Sequence, residues 1–199
     1  MSSDHLASRL SFMQLDGRAR DQIKGMHDDI VAALPGALET FYKQLRSYPE
    51  TQRFFSSEKQ IDGAQQRQSS HWDRIAKGQF DQSYVAAVTK VGEIHARIGL
   101  EPRWYIGGYA LILEKIITDV LVARWPKSRF GGKVAGATDR AAEISALVKA
   151  ALLDMDYAIS VYLEASEAAR LKVEEQAKAA ERALAAEREK AVASVSEAM

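Results

Sequence analysis

His95 is the residue in this chain best placed to do chemistry. Val91, Ile94 and Ile98 lie at i−4, i−1 and i+3 from it, so on a helix the imidazole sits on or beside an apolar stripe. Two aromatics, Trp104 and Tyr105, follow shortly after. A neutral imidazole against an apolar wall can serve as the one axial ligand of a heme iron whose opposite face stays open. The same spacing also describes a satisfied histidine at a core boundary, and pattern alone favours that plainer role.

The remaining candidates are weaker. Ala64, Arg67, Gln68 and His71 share a helical face, and any of them could approach a small ligand. For His71 the expectation is a boundary or surface position. His5 and His27 have no supporting constellation, and His27, between Met26 and Asp28-Asp29, reads as solvent-facing. Asp154 and Asp156 are two apart on a helix, so they diverge and form no carboxylate pair. No nucleophile elbow, phosphate-binding loop, dinucleotide fingerprint or paired-histidine zinc motif occurs.

The elements that must position these residues are helical throughout. No run of alternating β-branched residues appears between turn dipeptides. Ile23, Met26, Ile30 and Leu34 give one apolar face ending at Pro35-Gly36, and Pro35 then opens a second helix carrying Leu38, Phe41, Tyr42 and Leu45. A loop with Phe54-Phe55 precedes a helix over Glu58 to Ala76. Asp81 caps a helix with Tyr84, Val88, Val91, Ile94, His95 and Ile98, which Gly99 ends. Glu101-Pro102 starts a strongly apolar helix that runs to the loop Trp125 to Gly132.

No Gly or Pro follows Gly136, so one helix is expected from Thr138 to the C-terminus. Its first part, to about Leu163, has core character. Residues 164–199 hold 12 Ala and 14 charged residues, too little apolar area for a domain of their own. Val173, Ala177, Ala180 and Leu184 keep a four-three-four spacing, which Ala191, Val195 and Ala198 resume. This reads as a thin coiled-coil seam or a solvated helix, and in either case as a connector.

At 199 residues with 47% hydrophobic, the chain can bury the core of one domain with an appended element. Lys plus Arg and Asp plus Glu are both 27, and this zero net charge argues against a nucleic-acid partner. The absence of cysteine removes disulfides, thiol nucleophiles and covalent heme attachment, and fits a reducing compartment. No stretch has the length of a signal peptide core or a membrane span, so a cytoplasmic protein without membrane insertion is expected.

The segment Ile94-His95-Ala96-Arg97-Ile98-Gly99-Leu100-Glu101-Pro102-Arg103-Trp104-Tyr105 resembles the signature of globin-coupled sensors, in which this histidine is the proximal heme ligand. Phe41-Tyr42-Lys43-Gln44-Leu45 is similar to that family's second helix, and Phe54-Phe55 to the aromatic wedge of the following corner. The resemblance implies an all-α, globin-like sensor fold over 1–163, with an extra N-terminal helix and a long C-terminal connector helix over 164–199. It implies heme b (iron protoporphyrin IX) held by His95 as the metal ligand, with Tyr42 as hydrogen-bond donor to the gas. It places Phe54, Phe55, Ile98, Trp104 and Tyr105 at the heme, with Arg67 and Gln68 as distal-helix candidates. Tyr105 either orients the imidazole or packs as a core aromatic.

By the same resemblance the chain is a non-enzymatic sensor of O2, with CO or NO as other ligands. It forms a homodimer through the last two globin helices and serves an output domain absent from these residues. A chemotaxis or aerotaxis receptor is the expected setting. The alternatives are a diguanylate cyclase or histidine kinase sensor, a heme enzyme such as a nitric oxide dioxygenase, and a heme-free helical module.

Overall fold

The computed structural model describes residues 3–124 and 136–197, with side chains over 5–124 and 136–190. The loop expected at Trp125 to Gly132, and the seam positions Ala191, Val195 and Ala198, lie outside the residues whose side chains are described. Among the described residues the order is α1 Ser3–Phe12, α2 Gly17–Gly25, α3 His27–Ser47, α4 Pro49–Gln52, α5 Glu58–Ala76, α6 Gln82–Ile98, α7 Pro102–Arg124 and α8 Ala137–Glu197. No strand occurs among them, as the missing period-2 alternation requires.

Two helix pairs form the body: α3 packs on α7, and α6 packs on α8. α5 lies against α3 and α2 against α8. The stripe Ile30, Ala33, Leu34, Ala37, Leu38 of α3 is fully buried, as are Ile112, Ile116 and Val120 of α7. α8 buries Leu147, Ala150, Ala151, Asp154, Tyr157, Ala158 and Val161, again at spacings of three and four.

Local chemistry sets the boundaries. Asp16, Ser57 and Asp81 each cap a helix by accepting from a backbone N–H three residues on. Gly99 takes φ +70°, a left-handed conformation that glycine adopts without strain. The Leu100 N–H then returns to the His95 carbonyl at 2.9 Å, closing the last turn of α6 around the histidine. Pro102 sits at the first position of α7, where its missing N–H costs nothing.

Three sequence expectations are corrected here. α3 runs unbroken through Pro35, so Pro35 does not start a new helix. One backbone hydrogen bond is lost there, and the buried stripe on both sides of it outweighs that loss. The break lies earlier, at Met26, between α2 and α3; Ile23, Met26, Ile30 and Leu34 are all buried but belong to two helices. His27 is not a free surface residue. Its ring nitrogens meet Asp28 at 2.8 Å and Asp73 of α5 at 2.9 Å, and these partners raise its pKa.

Where α6 crosses α8 the backbones are close. A methyl group on Gly92 would lie 2.8 Å from Val161 Cβ and 2.9 Å from the Ala158 carbonyl oxygen. Gly107, on the open side of α7, has nothing within 4 Å. Gly92→Ala should therefore cost about 1–3 kcal/mol by forcing α6 off α8. Gly107→Ala should be neutral or stabilise by about 0.5–1 kcal/mol through helix propensity. Denaturant unfolding checks both; equal midpoints for the two variants would contradict the close crossing.

Candidate functional site

His95 occupies the last turn of α6, held there by the Asp81 cap at one end and the Gly99–Leu100 closure at the other. Neither ring nitrogen makes a hydrogen bond among the described residues. Burial lowers the imidazole pKa to about 4, against an opposing pull from Asp154, so the ring is neutral near pH 7. Tyr105 of α7 packs on it edge-to-face, with ring centroids 5.0 Å apart at 65°. Ile94 and Ile98 flank it on the same helix and remain 38% and 43% exposed, leaving an uncovered apolar strip beside an unpaired nitrogen donor.

Tyr42 of α3 is 4% exposed and packs edge-on against Phe41 at 5.0 Å and Phe55 at 6.3 Å. Its hydroxyl has no hydrogen-bond partner among the described residues. Burial pushes its pKa up to about 12, opposed by the positive fields of Arg67 and Arg46. On α5, the Gln68 side-chain oxygen is buried and unpartnered. Buried polar atoms normally have partners, so the orphaned Gln68 oxygen is open to a further group.

The structure groups the expected site residues in two sets. Tyr42, Phe55 and the charge of Arg67 come together; His95, Ile98 and Tyr105 form the other set. Arg67 itself is exposed. Phe54 stacks under the Arg53 guanidinium at 5.0 Å while Phe55 joins the core, so the pair splits its roles. Trp104 lies against Tyr48 at 6.1 Å and Arg103 at 5.2 Å, leaving the contact with His95 to its neighbour Tyr105.

Asp154 was missed by sequence reasoning. It is fully buried on α8, and its carboxylate gathers polar groups from three other helices. Oδ1 meets His71 Nε2 of α5 at 2.7 Å and accepts from Tyr84 Oη of α6 at 2.9 Å. Oδ2 accepts from Tyr109 Oη and, at 3.5 Å, from Tyr105 Oη, both of α7. The Tyr105 hydroxyl also donates to Tyr109 Oη at 3.2 Å. His71 keeps the boundary position expected, its side chain 12% exposed, but its ring stacks at 12° on Tyr84 and turns inward to Asp154. The available signal was position: Asp154 falls on the stripe of Leu147, Ala150, Ala151, Ala158 and Val161, which has to be buried.

These residues fit a heme. Among the described residues no three His, Asp or Glu side chains cluster to hold a bare metal ion. One free imidazole is instead what a metal already held by a macrocycle needs. The apolar Ile94, Ile98 and Phe55 suit the macrocycle, and Tyr42 and Gln68 supply unpaired polar groups for a ligand.

Comparisons with known proteins bear on the family and the fold. The Protoglobin family profile matches residues 2–168. The heme-based aerotactic transducer HemAT of Halobacterium salinarum is 28% identical over an alignment covering 80% of this chain and 35% of that protein. The chain therefore spans about a third of that relative's length. The globin domain of a Geobacter sulfurreducens globin-coupled sensor superposes with a TM-score of 0.68 at 15% identity, covering 78% of this chain and 96% of that domain. The ferric globin domain of E. coli DosC gives 0.60 at 17% identity, covering 77% and 99%.

Between pH 6.5 and about 4 the unfolded chain binds a proton at His95 that the folded apoprotein does not. Apoprotein stability should therefore fall as pH drops through that window. In the His95→Leu variant the slope of unfolding free energy against pH should lose up to one proton. Identical slopes from urea titrations of the two proteins would mean that the imidazole is not held neutral by burial.

Proposed function

The chain belongs to the Protoglobin family, and from that premise we propose that it is the heme-binding, gas-sensing domain of a signal transducer, with O2 as ligand. The observation that carries this reading is the neutral, unpaired His95 imidazole beside Ile94 and Ile98. A heme bound there supplies an iron with one coordination position open to a diatomic gas. His95 would hold the iron, Phe55 and Ile98 would wall the macrocycle, and Tyr105 would limit the tilt of the imidazole. On α3 the Tyr42 hydroxyl has no partner among the described residues and would be free to donate to a ligand carrying partial negative charge. Its raised pKa keeps that proton on the phenol at any physiological pH. Gln68 offers a second polar group from α5.

The transducer reading rests on the likeness to HemAT, and a chemotaxis or aerotaxis receptor is the setting it favours. Residues 1–163 are then the sensor, and 164–199 the helix that connects it to an output element. Every described residue from Leu163 to Lys190 is exposed, including Leu171, Val173 and Leu184 at 52%, 65% and 51%. Exposed Ile106 and Val122 of α7 and Leu152 and Leu163 of α8 support a homodimer through these two helices. No helix among the described residues is long and apolar enough to cross a membrane.

Reconstitution with hemin tests the reading. The wild type should take up one heme with a sharp Soret band, and His95→Ala should lose the axial nitrogen signature. Tyr42→Phe should raise the O2 dissociation rate about tenfold, the equivalent of one hydrogen bond of roughly 1.4 kcal/mol. An unchanged rate would remove Tyr42 from the ligand side. Sedimentation should show a dimer, and a monomer at micromolar concentration would exclude the α7–α8 interface.

A further inference from the structure

Four helices meet at the Asp154 carboxylate, and its two oxygens serve different parts of the molecule. Oδ1 ties α8 to α5 and α6 through His71 and Tyr84, which packs 11 residues before His95 on the same helix. Oδ2 ties α8 to α7 through Tyr109 and Tyr105. Tyr105 is the ring that touches His95. Its hydroxyl is bound only to Tyr109 and Asp154 among the described residues, so those two groups decide how the ring is held against the imidazole.

A buried carboxylate is an expensive way to fasten helices together. Apolar residues of similar volume often serve as well or better in stability terms. The donor set here is also directional: two tyrosines four residues apart on α7 deliver hydroxyls to one oxygen, and one of them continues to the site. Asp154 is close enough for its field to reach the His95 ring, and it lies on the helix that continues into the exposed segment. A displacement of the His95 ring must press on Tyr105, and through Tyr105 on the Oδ2 contacts of α8.

We propose that Asp154 is a positioning residue for the proximal histidine: through Tyr109 and Tyr105 it fixes the His95 imidazole and couples that ring to α8. The inference rests on His95 being the axial ligand. Asp154 touches neither heme nor gas; it acts on the iron–nitrogen bond through the tyrosine pair. Groups that orient a metal-bound histidine govern both the strength and the lifetime of that bond.

The test uses hemin-reconstituted protein with Asp154→Asn, Tyr109→Phe and, for comparison, Tyr84→Phe, which removes a donor from Oδ1 only. Resonance Raman of the ferrous protein reads the iron–histidine stretch, transfer to apomyoglobin reads heme release, and melting of the apoproteins reads stability. Asp154→Asn and Tyr109→Phe should shift the stretch by several wavenumbers and speed heme release roughly tenfold. Tyr84→Phe should lower the melting temperature and leave the stretch in place. If the first two variants lose stability while the stretch and the release rate stay at wild-type values, Asp154 is a structural tie and the inference is overturned. A wild type lacking any iron–histidine band overturns the axial assignment itself, and this inference with it. Should Asp154→Asn not fold, Tyr109→Phe decides alone, because it keeps the carboxylate and removes the one hydroxyl that binds both Oδ2 and Tyr105.

Discussion

The fold depends on satisfying one carboxylate in the dark. A buried Asp costs several kcal/mol unless its lone pairs are met, and Asp154 meets them with groups from α5, α6 and α7. That requirement explains why tyrosines occupy positions where Phe or Leu would pack as well. Tyr84, Tyr105 and Tyr109 bury their rings and spend their hydroxyls on Asp154. It also explains the close approach of α6 to α8. Gly92 adds no side chain of its own against Val161 and the Ala158 carbonyl, and this close crossing accompanies the reach of Tyr84 to Asp154 from the neighbouring helix.

Much of the site was legible because it is local. The Asp81 cap, the Gly99 stop and the Pro102 start lie within a few residues of the elements they bound, and the structure has all three. His95 was legible through its neighbours in sequence. What was not legible is what arrives from elsewhere in the chain. His71 reads correctly as a boundary residue from α5 alone, but its partner lies 83 residues away on α8 and is not legible there. His27 reads as solvent-facing until α5 brings Asp73 to it. Asp154 was discounted by pairing it with Asp156, whereas its own stripe on α8 placed it in the core. Pro35 shows the limit of a local rule: a helix interior tolerates proline when the stripe across it is buried on both sides.

Polar satisfaction is uneven across the molecule, and the unevenness has a pattern. The hydroxyls of Tyr84, Tyr105 and Tyr109 are all partnered around Asp154, while the buried Tyr157 hydroxyl nearby is not. At His95, Tyr42 and Gln68 the polar atoms are left open, although Tyr42 and the Gln68 oxygen are buried. Stability alone would favour apolar residues at those positions. Departures of this kind often collect where function requires them; three fall on the candidate site residues His95, Tyr42 and Gln68, while others, at Tyr157, Arg124 and Arg140, lie elsewhere.

The same contrast bears on how a small event at one histidine could reach the end of a long helix. α8 extends 61 residues without Gly or Pro, so nothing within it invites a kink. Its buried part is fixed by Asp154, by Tyr157 under the Arg9 guanidinium at 4.4 Å, and by the Arg9–Asp156 ion pair from α1. Its outer part is steadied only by pairs such as Glu174–Lys178 and Glu167–Arg170, each worth about 0.2–0.5 kcal/mol. Over the described residues to Lys190, such a helix has no packing of its own to oppose a shift imposed at its base. The end anchored by polar contacts sets the position of the rest, and that end is where Tyr105 meets Asp154.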